Sequence, residues 1–584
     1  MRPAVLTFAP TGFDTARRIA RILHGRELTP EQSREQLPRL FRSGTPIIGV
    51  CAAGILIRLL APLLEDKHEE PPVLAVSQDG AYVVPLLGGH HGANRMAREL
   101  AEALRGEAAL TTASDSLFGF GLDDPPKGWK LVYDDDIKRS MSNVLQGAKL
   151  AVEGDGRWLQ AAGYELGNGG AVQIVASPSI EHFAPIIYRP QTLVVGVGCE
   201  RGTSADELVD LIKASLAEAR LGWQSIAAIA SVDLKADERA IHEAAARFDT
   251  VARFFTVAEL DAMRDRLATP SQVVEAEIGT PGVAEAAALL AGELVLPKRK
   301  SARATCAIGM APNPIDPDTF GRRQGTLHIV GIGPGDAASR TGSAVAALEA
   351  SSDWVGYELY LDLIADLRDD QQKHAFPLGD EEPRVRHALE LAATGRTVAL
   401  VCSGDAQIYA MAALAYELLD ATGARAVTEA ARRVAVACHP GVSAFQAASA
   451  AAGALIGHDF CCISLSDLLT PREAIRQRLR GAAEGDFVTA FYNPRSGRRL
   501  DLLGEAKDLF ARHRPPETPV IVARNLGRAE QTVLVTTLAA FDPTTVDMLT
   551  IVLIGSSTSR AFKRGDGRTV AYTPRGYEAK GAAK

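Results

Sequence analysis

The chain has 584 residues, of which 47% are hydrophobic and 23% charged, and its formal net charge is −8. At roughly 100–200 residues per domain this length requires several cores, and the negative balance argues against a nucleic-acid partner. No apolar stretch approaches the ~18–20 residues that would span a bilayer, and the seven cysteines, odd in number and without a Cys-x-x-Cys pair, support neither a disulfide framework nor a thiolate metal site. A cytoplasmic protein without a resident metal is expected.

In chain order, Met1 to Phe8 has one charge and too short an apolar run for a signal peptide, and it reads as a first strand. A strand at Pro46–Val50, a helix over Gly54–Leu64 and an edge strand at Ala81–Leu87 follow, leading into Gly88-Gly89-His90-His91-Gly92. His90 or His91 has the side chain that titrates nearest neutrality and is a candidate general base toward water. Two histidines in a glycine-rich turn equally satisfy backbone groups, and without a third ligand they do not make a zinc site.

After a more polar middle, a second α/β region opens with Thr192–Cys199 and runs into Arg201-Gly202-Thr203-Ser204 at a helix start. Cys199 beside Arg201 is read either as a thiol of lowered pKa or as a small buried residue. Asp233, Lys235, Asp237 and Glu238 form either a polar site after a strand or a solvated turn, and Asp233 is kept as a catalytic candidate. The Pro-rich stretch from Ala311 to Asp318, followed by Gly321 to Gly325, reads as an exposed linker between two separately folding units.

Beyond it, Thr326–Val330 passes into Gly331-Ile332-Gly333-Pro334-Gly335-Asp336. The loop is a poor dinucleotide fingerprint, because Asp336 replaces the third glycine and Pro334 removes an N–H that would hold phosphate. Further apolar runs end in turn chemistry: Asp353–Tyr357, Val398–Val401 before Ser403-Gly404-Asp405, Val434–Ala437 before Pro440-Gly441-Val442-Ser443, and Phe487–Phe491 before Tyr492-Asn493-Pro494-Arg495. Val520–Ala523 before Arg524-Asn525-Leu526-Gly527 and Leu549–Ile554 complete the series, with helices over Ile408–Leu419 and Arg472–Ala482 between. This is an α/β pattern, multidomain over the whole chain, and ligands of such sheets bind outside the carboxyl ends of the strands.

These blocks, with Tyr360-Leu361-Asp362, Ile408-Tyr409-Ala410-Met411, Gly457-His458-Asp459-Phe460 and Ser464 through Pro471, resemble the tetrapyrrole methyltransferases of corrin biosynthesis, and among them the ring-contracting precorrin-3B C(17)-methyltransferases. The resemblance runs from about Thr326 to Arg560 and departs at Ala406-Gln407, where those enzymes usually have Asp and Pro. It implies two α/β domains, 326–437 and 438–568 with a tail at 569–584, a homodimer, and S-adenosyl-L-methionine bound between the two domains. Cofactor contacts then fall to Gly333, Pro334, Gly335, Asp405, Tyr409, Ser464 and Asn493. Asp362, Asp405, His439 and Asp467 are candidate bases for ring contraction. A corrin precursor carries many carboxylates, and Arg suits them through its planar fork; Arg495 is the leading reader, with Arg498, Arg499 and the helix arginines 472, 476, 478 and 480 behind it. The alternative is a sibling enzyme methylating another position of the macrocycle.

Upstream, Gly89-His90, Gly92-Ala93-Asn94 and Thr111 to Asp115, then Gly196 to Cys199, Asp233 to Glu238 and Pro297 to Lys300, are similar to the cobalt-precorrin-5A hydrolase family, which opens a lactone and releases acetaldehyde. Its end modules correspond to 1–120 and 191–311, around a middle segment at 121–190 and before the linker at 312–325. Glu200 stands where a basic residue is expected. The alternative for this half is a tetrapyrrole-binding module without catalysis.

Overall fold

The computed structural model describes residues 3–23, 25–66, 69–111, 117–134, 137–368, 370–495 and 501–577; the side chains of His90, Tyr133 and Asp134 are also outside the description. The block Thr112 to Asp115, Arg498 and Arg499 therefore lie outside the described residues. The chain divides into two compact units, Met1–Arg322 and Arg323–Lys584.

Among the described residues unit 1 holds three sheets. In the first, β1 (Ala4–Thr7), β2 (Arg26–Leu28), β3 (Ile47–Val50), β4 (Val73–Val76), β5 (Tyr82–Leu87) and β6 (Glu107–Ala108) take the order β2-β1-β3-β4-β5-β6. The run expected as an edge strand is β5, which pairs antiparallel with β4 and is flanked outside only by two-residue β6. The expected helix ends early: α-helix covers Ala53–Leu60, and a 3-10 turn takes over where Pro62 cannot donate an N–H.

The middle segment has its own sheet. There β7 (Trp129–Asp134), β8 (Leu150–Gly154), β9 (Val172–Ala176) and β10 (Ile186–Pro190) order as β7-β10-β9-β8. Stacked, half-buried Phe120, Trp158 and Trp129 pack against a core that includes Leu122, Tyr164 and Tyr188, and the hydroxyls of Tyr164 and Tyr188 donate to the carbonyls of Phe120 and Leu122 at 2.6 and 2.5 Å. Aromatic packing, which periodicity in a polar sequence does not reveal, makes this a folded module.

The third sheet contains β11 (Leu193–Cys199), β12 (Ile226–Val232), β13 (Val251–Phe255), β14 (Glu293–Lys300) and β15 (Ala304–Met310) in the order β13-β12-β11-β15-β14. The wholly buried helix Val283–Leu289 lies on it at backbone contact. A Cβ added at Gly196 would stand 1.9 Å from the Ala284 carbonyl, and one at Gly309 would stand 1.9 Å from that of Ala288. Gly196 is thus glycine for packing.

Residues 312–322, expected as an exposed linker, are built into unit 1. Ile315 and Phe320 pack against the core around Phe255 and Leu260. Arg322 exchanges backbone hydrogen bonds with Phe254 and grips Glu259 with both terminal nitrogens at 2.6 and 2.9 Å, holding that carboxyl at about pKa 2. Proline-rich sequence signals extended backbone but not whether that backbone is covered. A fragment beginning at Arg323 is expected to fold alone, with a single cooperative unfolding transition by circular dichroism. A fragment lacking native-like secondary structure would overturn this.

Unit 2 opens with an all-parallel sheet of β16 (Thr326–Gly331), β17 (Asp353–Tyr357), β18 (Gln372–Phe376), β19 (Thr397–Cys402) and β20 (Ala435–His439), ordered β18-β17-β19-β16-β20. One face packs Leu327, Ile329, Val398 and Leu400 against the helices Glu381–Ala393 and Ala412–Asp420; the other packs Val330, Ala399 and Val401 against Gly342–Ala350. Burial on both faces explains the continuous apolar strands. The helix expected from Ile408 begins instead at Ala412, because Tyr409 takes a left-handed φ of 52°.

A short pairing of β21 (Gly453–Ala454) precedes the second sheet, β22 (Phe460–Ser464), β23 (Val488–Tyr492), β24 (Pro519–Arg524), β25 (Thr532–Thr537) and β26 (Thr550–Ile554), in the order β22-β23-β26-β24-β25. Only β22 and β23 pair in parallel, while β23-β26, β26-β24 and β24-β25 are antiparallel. The Arg524–Gly527 turn accordingly joins a hairpin.

Candidate functional site

Gly331, Gly333, Gly404 and Gly441 meet where β16, β19 and β20 end. Gly333 and Gly404 exchange backbone hydrogen bonds at 3.1 and 2.8 Å, and both have positive φ, 77° and 68°. A Cβ on Gly441 would lie 2.2 Å from the Gly404 carbonyl oxygen and 2.5 Å from that of Gly331. Only residues without side chains allow the loops this close.

Asp405 fastens the same loops. Its Oδ1 accepts the Gln407 N–H at 2.8 Å and its Oδ2 accepts the Gly441 N–H at 3.1 Å, and the residue is 9% exposed. A proline at 407 has no N–H to give, so the departure at Ala406-Gln407 supplies one of the carboxylate's two donors.

The next loop reaches the second sheet. Ser443 Oγ and Tyr492 Oη are 2.5 Å apart, and the Phe445 N–H donates to the same phenol oxygen at 3.3 Å. Burial pushes the Tyr492 hydroxyl up to about 12, so it stays protonated. Tyr409 donates to the Cys462 carbonyl at 2.8 Å with its ring 5.1 Å from that of Tyr492, and Asn493, at φ 50°, donates to Ser464 Oγ at 3.1 Å. Gly333, Asp405, Tyr409, Ser464 and Asn493 are therefore each tied by hydrogen bonds at or next to the ends of β16, β19, β22 and β23.

Other sequence candidates are engaged elsewhere. Asp467 accepts from Arg472 at 2.8 Å, and that arginine also holds Asp501 at 2.6 Å; Arg476 grips Glu505, and Arg480 bonds Glu473. The helix arginines 472, 476 and 480 are thus neutralised by carboxylates of their own lobe. Arg495 donates to the Thr544 carbonyl, and Asp362 pairs with Lys373 at 2.7 Å. His439 lies between Ser343 Oγ at 2.7 Å and His328 at 3.0 Å, and burial lowers its pKa. Each of these groups already has a hydrogen-bond or ion-pair partner within the described residues.

One residue escaped the sequence reading. Arg528, immediately after the Arg524–Gly527 turn, donates from Nε to the Pro334 carbonyl at 3.1 Å and from Nη2 to Ser403 Oγ at 3.1 Å. The signal available was a cation following a turn at a strand end.

In unit 1, His91 is exposed in the 3-10 turn Gly89–His91, between Gly88 and Gly92 at φ 73° and 87°, while the His90 side chain lies outside the described residues. Burial and the nearby Glu238 push the Cys199 thiol up to about 11 against the opposing charges of Lys235, Arg201 and Arg303, and Arg201 itself pairs with Asp237 at 2.5 Å and Glu238 at 3.5 Å. Of the two readings of Cys199, this favours the small, largely covered residue. Glu200, the unexpected acid, is held by Arg303 at 3.0 Å. Asp233 is half-buried after β12, and burial raises its pKa against the opposing charge of Arg322.

Comparisons with known proteins follow the same division. Residues 35–115 match the family model "Cobalamin synthesis G N-terminal", 193–309 match "Cobalamin synthesis G C-terminus", and 326–542 match "Tetrapyrrole (Corrin/Porphyrin) Methylases". A precorrin-3B C(17)-methyltransferase of a Sinorhizobium species is 42% identical over 253 residues, 43% of this chain and 97% of the relative. A cobalt-precorrin-5A hydrolase of Priestia megaterium is 30% identical over 305 residues, 47% of this chain and 81% of the relative. A cobalt-factor III methyltransferase of Priestia megaterium is 38% identical over 257 residues, 44% of this chain, and the chain spans only 46% of that relative's length. With nearly the whole of one relative matched by the second half and most of another by the first, the chain belongs to the tetrapyrrole (corrin/porphyrin) methylases, fused behind a cobalamin synthesis G unit.

Proposed function

We propose that unit 2 transfers a methyl group from S-adenosyl-L-methionine to carbon 17 of precorrin-3B, with contraction of the macrocycle. The carrying observation is the glycine cradle closed by Asp405. A cofactor without a phosphate suits it, because Pro334 offers no N–H to hold one. Gly333, Pro334, Gly335, Asp405, Tyr409, Ser464 and Asn493 are the residues proposed to hold it.

When bound, the cofactor supplies an electrophilic methyl on a sulfonium. The chain's task is alignment, which is worth about 7–11 kcal/mol when reacting groups are held in near-attack geometry. The loops tied by Asp405 and the Ser443–Tyr492 link supply that rigidity. Because both Asp405 oxygens already accept backbone N–H groups, its proposed role is to position the loops rather than to take the hydroxyl proton. Unit 2 is further proposed to act as a homodimer, a reading supported by Leu468 and Leu469, which are 84% and 98% exposed.

For unit 1 the proposal is lactone opening on a later corrin intermediate, with Asp233 handling the proton of attacking water and His90 as the second candidate. The reading rests on Asp233, a half-buried carboxyl directly after β12 whose pKa burial raises. The test incubates the full chain with precorrin-3B and methyl-labelled S-adenosylmethionine, reading product mass and spectrum, and separately assays acetaldehyde release from a lactone-bearing corrin. No label in the macrocycle would sink the first reading. Unchanged acetaldehyde release in both Asp233→Asn and His90→Ala would remove those residues.

A further inference from the structure

Arg528 differs from the carboxylate-paired arginines of residues 438–577 in what surrounds its charge. Arg472, Arg476, Arg480 and Arg524 each hold carboxylates within 2.9 Å, namely Asp467 with Asp501, Glu505, Glu473 and Asp547. Arg528 meets a carbonyl oxygen, a hydroxyl and, 6.0 Å away, the face of the Tyr360 ring. Among the described residues no carboxylate is paired with it, and Nη1 is left with no assigned hydrogen bond.

The position is built rather than incidental. Arg528 grows from the β24–β25 hairpin and reaches the ends of β16 and β19, touching both Pro334 and Ser403. Gly335, at φ 152°, lies directly beneath it: a Cβ there would stand 2.7 Å from Arg528 Cγ and 3.2 Å from Nε. A glycine is thus needed in the loop so that this side chain can lie across it. Asp336, the nearest acid in the loop, is occupied by the Ser339 N–H and hydroxyl at 2.8 and 2.9 Å.

A half-buried guanidinium without a counter-ion is costly, and a planar fork with unused donors is complementary to a carboxylate. We propose that Arg528 is the anion anchor of the site and binds a carboxylate of a ligand lying over the Gly333–Gly335 loop. Two ligands of the proposed reaction carry such a group, the tetrapyrrole in its acetate and propionate arms and the cofactor in its amino-acid moiety. The assignment rests on the methyltransferase reading and replaces Arg495, whose guanidinium is turned to the Thr544 carbonyl.

The test uses the full chain, its Arg528→Gln and Arg528→Lys variants, calorimetry with S-adenosylhomocysteine and with its decarboxylated analogue, and initial rates against precorrin-3B. Absence of S-adenosylhomocysteine binding by the unaltered chain would fail the methyltransferase reading and not this one. Given that binding, a cofactor carboxylate predicts at least tenfold weaker S-adenosylhomocysteine binding in Arg528→Gln, with the analogue bound equally by both proteins. A tetrapyrrole carboxylate predicts a KM for precorrin-3B raised at least tenfold with S-adenosylhomocysteine affinity unchanged. In either case Arg528→Lys falls between, keeping the charge without the fork. The anchor is overturned if both constants stay within threefold in Arg528→Gln. It is equally overturned if the analogue loses as much affinity as S-adenosylhomocysteine with no further rise in the KM for precorrin-3B, since that pattern marks loop damage.

Discussion

Gly441→Ala is expected to weaken S-adenosylhomocysteine binding at least a hundredfold while leaving unit 1 folded. The added Cβ would fall 2.2 Å from the Gly404 carbonyl oxygen and 2.5 Å from that of Gly331, distances that no real Cβ occupies. Both obstacles are backbone, so no rotamer change relieves them, and the ends of β16, β19 and β20 have to separate. Overpacking of this kind costs about 1–3 kcal/mol. Moving Gly441 also withdraws its N–H from Asp405, and a hydrogen bond to a charged acceptor is worth about 1.5–3 kcal/mol. Together these span about 2.5–6 kcal/mol, nearly all of it above the roughly 2.7 kcal/mol that a hundredfold change in affinity represents. Calorimetry on the full chain, with circular dichroism as the folding control, checks it; affinity within threefold of the unaltered chain would show that the glycine contact does not shape the site.

The glycine loops were legible because conformational need is written in residue type. Gly331, Gly333, Gly404 and Gly441 stand at the ends of apolar runs, and the all-parallel sheet requires those ends to share one edge. What sequence does not encode is the direction a long side chain takes. Arg495 follows the Asn493 turn just as Arg528 follows the Gly527 turn, yet one is spent on Thr544 and the other lies over Pro334. The neutralised helix arginines escape for the same reason, since Asp501 and Glu505 lie 29 residues away in sequence from Arg472 and Arg476. Gly196 illustrates the converse: a glycine in a strand signals close approach but not what approaches, and here it is the helix Val283–Leu289.

Asp405→Ala carries the second large effect. Removing the carboxylate leaves the N–H groups of Gln407 and Gly441 without the acceptor that ties their loops together. At about 1.5–3 kcal/mol for hydrogen bonds to a charged group, the expected loss of S-adenosylhomocysteine affinity is roughly ten- to a hundredfold. Asp405→Asn separates charge from connection. The amide oxygen keeps one acceptor while its NH2 faces a second donor, so Asn should recover only part of the loss. If Asp405 positions the loops, the Asn and Ala variants should also bring the affinity down in step with amide exchange rates at Gln407 and Gly441. An Asn variant with native affinity and native exchange but no turnover would instead make Asp405 the proton acceptor in ring contraction.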